Sequence, residues 1–327
     1  MITTLCIALA VVFGIILLTV LILFCMAFLI KKAVFGSRCD KNPLLKYFSA
    51  VDFGLNCRIL ELKEFKKGSF LRGALYFKGK EEDAKKELII FCHGMGAGHV
   101  AYTTEIAYFC NLGYAVLAPD YMGCNLSDGK SIKNFGNGTK TIIAAAEYAR
   151  AELKEFDKIY LVGHSRGGYS ALTAAALAKA DKVVAISAPD KPSKAVYNGV
   201  YARSHFLAKI LYPFLAVVCG GDSAISCANR LKVPALLVHG ENDATVPPSD
   251  AAIYGTFGEN IKKIFVEGRG HNPYNTREAE QKLAELSSAL SGIKSGSVSK
   301  DYFASFDFSA ATEEDGEVMG EIARFLE

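Results

Sequence analysis

Six short apolar runs constrain this chain more than any other feature: Leu88 to Cys92, Tyr114 to Ala118, Ile159 to Val162, Val183 to Ile186, Ala235 to Val238 and Lys263 to Val266. They are largely continuous rather than alternating, and helical or loop segments separate them, which is the pattern of parallel strands buried on both faces. The intervening helices read as Tyr102 to Leu112, Thr139 to Leu153, Gly168 to Lys179 and a last one from Gly316 to Leu326. In the second of these, Ile142, Ile143, Ala146 and Ala149 share a face that Lys140, Glu147 and Arg150 mostly avoid. Ahead of the runs, Arg58 to Leu62 and Leu71 to Phe77 alternate and read as antiparallel edge strands. The expected class is therefore α/β, a doubly wound and mostly parallel sheet. Ser287 to Ser299, rich in Ser and Gly, reads as a surface excursion.

Of the 327 residues, about 295 remain once an apolar N-terminal segment is set aside, enough for one large domain. A net charge of +3 from 37 basic and 34 acidic residues, with no basic run beside an aromatic platform, argues against nucleic acid as a partner. The nine cysteines are odd in number and scattered, and none forms a Cys-x-x-Cys pair. That usage excludes a disulfide framework and a zinc site as expectations, and Cys92, Cys110 and Cys219 read as small hydrophobes of the core.

From Ile2 to Ile30 there is no charged residue. About 29 residues at ~1.5 Å each exceed a hydrocarbon core of ~30 Å, so the segment can span a bilayer with some tilt. A cleavable signal peptide would carry a basic start and a small-residue cleavage site, whereas here bulky Phe28, Leu29 and Ile30 close the run. Lys31, Lys32 and Arg38 follow at once and nothing basic precedes, which places the rest of the chain in the cytoplasm by the positive-inside rule. Asn125-Leu-Ser127 and Asn137-Gly-Thr139 match the glycosylation pattern, but such triplets arise readily by chance and would matter only in the opposite topology.

The chemistry concentrates where Lys158-Ile-Tyr-Leu-Val162 runs into Gly163-His164-Ser165-Arg166-Gly167-Gly168 and then an Ala/Leu-rich helix. Gly-x-Ser-x-Gly between a strand and a helix is a sharp turn that lifts the serine hydroxyl above the sheet, and only small neighbours at 163 and 167 permit it. A serine hydroxyl becomes a nucleophile only when a base takes its proton and a carboxylate orients that base. Asp243, in Gly240-Glu-Asn-Asp-Ala-Thr-Val-Pro247, and His271, in Gly268-Arg-Gly-His-Asn272, each follow a buried strand. Asp190 and Glu241 compete for the acid. Two backbone donors for an oxyanion are also required. Arg166, beside the nucleophile, and Met95, in the glycine-rich loop His93-Gly-Met-Gly-Ala-Gly98, fill those places.

On His93-Gly94-x-Gly96, Gly163-x-Ser165-x-Gly167, Asp243-x-x-Val246-Pro247 and Gly270-His271, the chain resembles the α/β-hydrolase superfamily over roughly residues 55 to 327. It is most similar to the serine-hydrolase branch with monoacylglycerol lipases, carboxylesterases and serine aminopeptidases. The resemblance implies the triad Ser165, Asp243 and His271, and an α/β-hydrolase fold with a small helical cap. The implied division is a transmembrane anchor over 1–32, a linker over 33–54, and a hydrolase domain over 55–327 with a cap insertion at about 190–231. Two departures stand out. Asp120-Tyr-Met-Gly-Cys-Asn-Leu-Ser127 has Met122 and Asn125 where relatives carry Arg and Gly, and about 40 residues intervene between His271 and the last helix, an insertion that could edge the site.

The cap stretch Phe206-Leu-Ala-Lys-Ile-Leu-Tyr-Pro-Phe-Leu-Ala-Val-Val218 carries one charge. It reads either as a helix packed on the core or as a face that lines an acyl pocket or touches lipid. The expected activity is hydrolysis of a carboxylic ester with an apolar acyl group through an acyl-serine, with no metal and no organic cofactor. The partners are a small-molecule or lipid ester and, through the N-terminal helix, a membrane. A peptidase or amidase shares the same three residues and would need a carboxylate such as Asp222 to hold a substrate ammonium. A non-catalytic tethered binding module is the remaining alternative.

Overall fold

A computed structural model describes residues 1–327, apart from the side chain of Lys294. Its centre is one eight-stranded sheet in the order β1-β2-β4-β3-β5-β6-β7-β8. The strands are β1 (Asn56–Lys66), β2 (Ser69–Phe77), β3 (Glu87–Cys92), β4 (Ala115–Pro119), β5 (Lys158–His164), β6 (Lys182–Ile186), β7 (Ala235–Gly240) and β8 (Ile261–Val266). β1 and β2 pair antiparallel, as does β2 with β4, and every pair from β4 to β8 is parallel. The six apolar runs form β3 to β8 and the two alternating segments form β1 and β2, but β2 lies between β1 and β4 rather than at an edge, and β8, the other edge strand, is part-exposed rather than buried on both faces. β5 is buried from Ile159 onward because helices cover both faces of the sheet.

Two cores result. On one face, α3 (Gly136–Glu152) and α4 (Arg166–Ala174) pack against Leu88, Ile90, Leu117 and Leu161. On the other, α2 (Thr103–Asn111) and α10 (Gly316–Leu326) cover Ile89, Val116, Val162 and Val184. The cap is α5 (Pro192–Tyr201), α6 (His205–Cys219) and α7 (Ala224–Ala228), with α8 (Ala252–Gly255) after β7. Cys92, Cys110 and Cys219 are buried free thiols.

Three sequence expectations need correction. The stretch Ser287 to Ser299 is not an excursion: α9 (Arg277–Ser295) runs through most of it. Its Leu286, Leu290 and Ile293 follow a helical repeat and pack, with Phe303 and the linker residues Leu44 and Leu45, into a separate small core. The N-terminal helix α1 (Ile2–Phe35) ends three residues past the expected boundary. And residues 36–40 are pinned rather than loose, since Cys39 bridges to Cys124 while Arg38 donates to the carbonyls of Asn125, Ser127 and Gly129 at 2.9, 3.0 and 2.7 Å.

α1 itself changes character along its length. Residues 1–22 are exposed on every side, a length and composition sufficient to cross a membrane. From Leu23 onward one face (Leu23, Ala27, Ile30, Phe35) packs on the domain, and Ala27 and Phe35 are fully buried. The Phe24 ring meets Phe214 of α6 edge-on at 4.8 Å, and Lys31 donates to the carbonyl of Val218 at 2.5 Å. A large side chain at Ala27 would overpack this junction at a cost of about 1–3 kcal/mol. Ala27→Phe should therefore speed proteolysis of residues 36–54 severalfold, whereas Ala10→Phe on the exposed stretch should not; equal rates in the two variants would mean that the lower part of α1 is not docked.

Candidate active site

Ser165 stands at the junction of β5 and α4 with φ of 58°, in the left-handed region that residues with a Cβ seldom occupy. The turn is so tight that a Cβ at Gly163 would run into the Gly167 carbonyl, and one at Gly167 into the Cys92 carbonyl. The Ser165 amide donates to Ile186 O at 2.8 Å, so the neighbouring strand holds the turn.

Two further strand ends bring a carboxylate and an imidazole to Ser165. His271, after β8, lies with Nε2 2.9 Å from Ser165 Oγ and Nδ1 2.8 Å from Asp243 Oδ2. Because the carboxylate can only accept, Nδ1 carries the proton and Nε2 is left to accept from the serine hydroxyl. Asp243 is 2 % exposed, and its other oxygen accepts from the amides of Thr245 and Val246, both at 2.8 Å. Burial alone would raise its pKa, but the hydrogen bond and charge of His271 together with the Val246 amide outweigh it and hold the carboxyl below the usual range. The competing acids lie elsewhere: Asp190 accepts from Ser223 Oγ and the Ile225 amide at the start of α7, and Glu241 is exposed.

Met95 and Arg166, the expected oxyanion donors, lie near Ser165. Arg166 is the first residue of α4, where an amide has no acceptor within the helix, and Met95 borders the same cavity as Ser165. The Arg166 side chain is not part of the cavity lining; its guanidinium is buried over the rings of Tyr121 and Phe135 at 4.7 and 5.6 Å and donates to Asn134 O.

Sequence reasoning missed how the loops are tied together. His164 Nε2 donates to the backbone carbonyl of His271 at 2.8 Å. Its Nδ1 accepts from Tyr102 Oη at 3.0 Å, and that oxygen in turn accepts from the Gly94 amide at 3.1 Å. One imidazole thus links the glycine-rich loop, the nucleophile strand and the base loop. Glu280 of α9 accepts from the Gly270 amide at 3.0 Å and the Asn272 amide at 3.3 Å, bracing the base loop from outside. No residue after Asn272 lines the cavity among the described residues, so the insertion supports the site rather than edging it. The Asp120–Ser127 loop is likewise structural. Asp120 is buried and accepts from His99 and Asn125, and Asn125 adopts φ of 38° where relatives use glycine. Both asparagines of the glycosylation-like triplets are engaged internally, Asn125 with Asp120 and Asn137 with the Ile132 carbonyl.

The cavity over Ser165 has a volume of about 430 Å³. Its apolar wall includes Val34 and Phe35 of α1, Ala195 and Val196 of α5, and Met95, Phe135, Pro189 and Val246. No side chain of α6 lines it: Leu211 and Leu215 are buried in the core and Phe206 is 76 % exposed. Of the two readings of this stretch, packing on the body of the protein holds and lining of the pocket does not, because α6 packs its apolar face on α1 and α5.

Residues 87–226 match the family model described as the α/β hydrolase fold. Over 92 residues, 28% of the chain, the sequence is 33% identical to human protein ABHD8, and it spans only 19% of that relative's length. Among solved structures, the esterase Pf2001 of Pyrococcus furiosus superposes with a TM-score of 0.58 at 18% identity, over 78% of this chain and 96% of the esterase. An acetyl xylan esterase from Paenibacillus sp. R4 gives 0.50 at 17% identity, over 76% and 96%. At these identities the likeness shows the fold.

Burial, followed by the charge of His271, lowers the His164 pKa to about 3, so this imidazole is neutral in the folded protein. An unfolded histidine titrates near ~6.5, so below that pH the unfolded chain holds a proton that the folded one refuses, and stability falls with acidification. His164→Gln should reduce the loss of unfolding free energy between pH 7 and pH 5 by about 1–2 kcal/mol in denaturant titrations. An unchanged loss would show that His164 is not held neutral.

Proposed function

We propose that this chain, which belongs to the α/β-hydrolase superfamily, cleaves carboxylic esters through an acyl-serine intermediate while α1 holds it in a membrane. The observation that carries the reading is the continuous hydrogen-bond chain from Ser165 Oγ through His271 to Asp243, with the hydroxyl facing a cavity. In this reading His271 takes the Ser165 proton as the hydroxyl attacks the ester carbonyl. It then delivers that proton to the departing alcohol, and a water repeats the sequence to free the acid. Asp243 stabilises the imidazolium, and the Met95 and Arg166 amides receive the oxyanion.

The lining of the cavity favours an ester over a peptide with a free amino terminus. No acidic side chain lines it among the described residues, and Asp222 lies outside it, so a substrate ammonium would have no partner. The apolar wall suits an acyl group.

Ser165→Ala should abolish covalent labelling by a fluorophosphonate and reduce ester turnover at least ~10³-fold, since loss of a triad member leaves only oxyanion and binding effects. Asp243→Asn should fold normally yet lose most of the rate, and Asp190→Asn should not. Full labelling of the Ser165 variant would falsify the nucleophile assignment, and the reverse order of the two Asn variants would reassign the acid.

The topology has its own test. Lys31 and the exposed Lys32 stand at the junction, and the uncharged stretch that ends at Ile30 is long enough to span. The protein should stay with membranes through high-salt and carbonate washes, and its domain should resist protease added outside intact cells. Release by carbonate argues against a span; digestion from outside reverses the orientation alone.

A further inference from the structure

The anchor does not stop at the bilayer. Its exposed part, Ile2 to Ile22, is about 21 residues or ~31 Å long, close to a hydrocarbon core of ~30 Å. The remaining turns run along the cap and deliver Val34 and Phe35 into the cavity that holds Ser165 and His271. Phe35 is 1 % exposed, its ring stands 5.6 Å from that of Phe135, and its carbonyl accepts from the Lys133 amide at 3.0 Å, so this end is fixed in place. Val34 is 43 % exposed and sits at the rim. The cap supplies only Ala195 and Val196 to the same wall. The membrane helix, rather than the cap helix with the richest apolar sequence, therefore contributes a large side chain where an acyl group would lie.

We propose that the last turn of the anchor, Val34 and Phe35, is a specificity-determining wall of the Ser165 pocket, and that the substrate is a membrane-resident ester whose long acyl chain lies against it. This rests on the serine-hydrolase reading above and names its substrate class. Between the exposed stretch and the cavity, α1 presents exposed apolar side chains, Phe28, Leu29 and Val34, to an ester drawn from the leaflet. The wall favours long chains in the transition state as well as in the bound ester, because the chain stays in contact while the carbonyl reacts. Full burial of each added methylene is worth about a fourfold gain until the wall is covered.

The test uses the full-length protein in bilayer nanodiscs and the second-order rate at which Ser165 is labelled by n-alkyl fluorophosphonates from ethyl to dodecyl. Wild type should react at least tenfold faster with dodecyl than with ethyl. Val34→Trp narrows the rim and should lower the dodecyl rate at least fivefold more than the ethyl rate. Phe35→Leu should also lower the ratio; if that variant loses all labelling through misfolding, Val34→Trp decides alone. Val217→Trp, on the exposed face of α6, is the control and should keep the wild-type ratio. A ratio unchanged within twofold in Val34→Trp, or lowered equally in Val217→Trp, overturns the wall. Labelling of Ser165 without any chain-length preference in wild type overturns the substrate class but leaves the hydrolase reading intact. No labelling of Ser165 by any probe overturns both.

Discussion

Everything at the site depends on one close backbone approach, in which the start of α4 passes so near the end of β3 that Gly167 has no room for a side chain beside the Cys92 carbonyl. That approach forces Ser165 into the left-handed region and raises its hydroxyl above the sheet. It also sets Cys92, at the mouth of the glycine-rich loop, next to the turn that carries Ser165, and Met95 of that loop borders the same cavity as Ser165. The parallel order β3-β5-β6-β7-β8 then brings the ends of β7 and β8 round to the same edge, where Asp243 and His271 complete the hydrogen-bond chain. Neutral His164 ties the His271 loop to the glycine-rich loop through Tyr102, while Asp243, Glu280 and the Arg269–Asp315 ion pair hold the loops after β7 and β8.

The second organising contact is between α1 and the cap. A helix that only tethers a domain would leave it free to tumble, but here Phe24, Ala27, Lys31 and Phe35 are committed to α6, its Val218 carbonyl and the core. Arg38 continues the attachment by filling three carbonyl acceptors of the Asn125–Gly129 turn. Helix α1 and the pocket thereby become parts of one arrangement.

How much of this was legible from sequence follows the range of the interactions. Strands declare themselves by continuous apolar runs such as Leu88 to Cys92, and the turn at Ser165 by glycines whose reason is local. Asp243 and His271 were legible because each sits just past a strand, although only the folded distances separate Asp243 from Asp190. What stayed hidden depends on residues far apart in the chain. Nothing near Val34 or Phe35 signals that they meet Ser165, nor does the sequence around Glu280 reveal that it braces the His271 loop. α9 was misread for a different reason: its serines and glycines suggest a loop by composition, while Leu286, Leu290 and Ile293 keep a helical spacing that tertiary packing rewards. The apolar stretch of α6 left two readings open for a related reason, since strong hydrophobicity signals burial without saying against what.

The central claim is that Ser165 carries the acyl group. It can be tested by mixing the full-length protein with a nitrophenyl ester, quenching in acid within the first turnover, and mapping the peptides by mass spectrometry. The account requires the acyl mass on the peptide containing Ser165, in an amount that matches an initial burst of nitrophenol. Burst-free turnover that persists in Ser165→Ala, with that peptide unmodified in wild type, would contradict it.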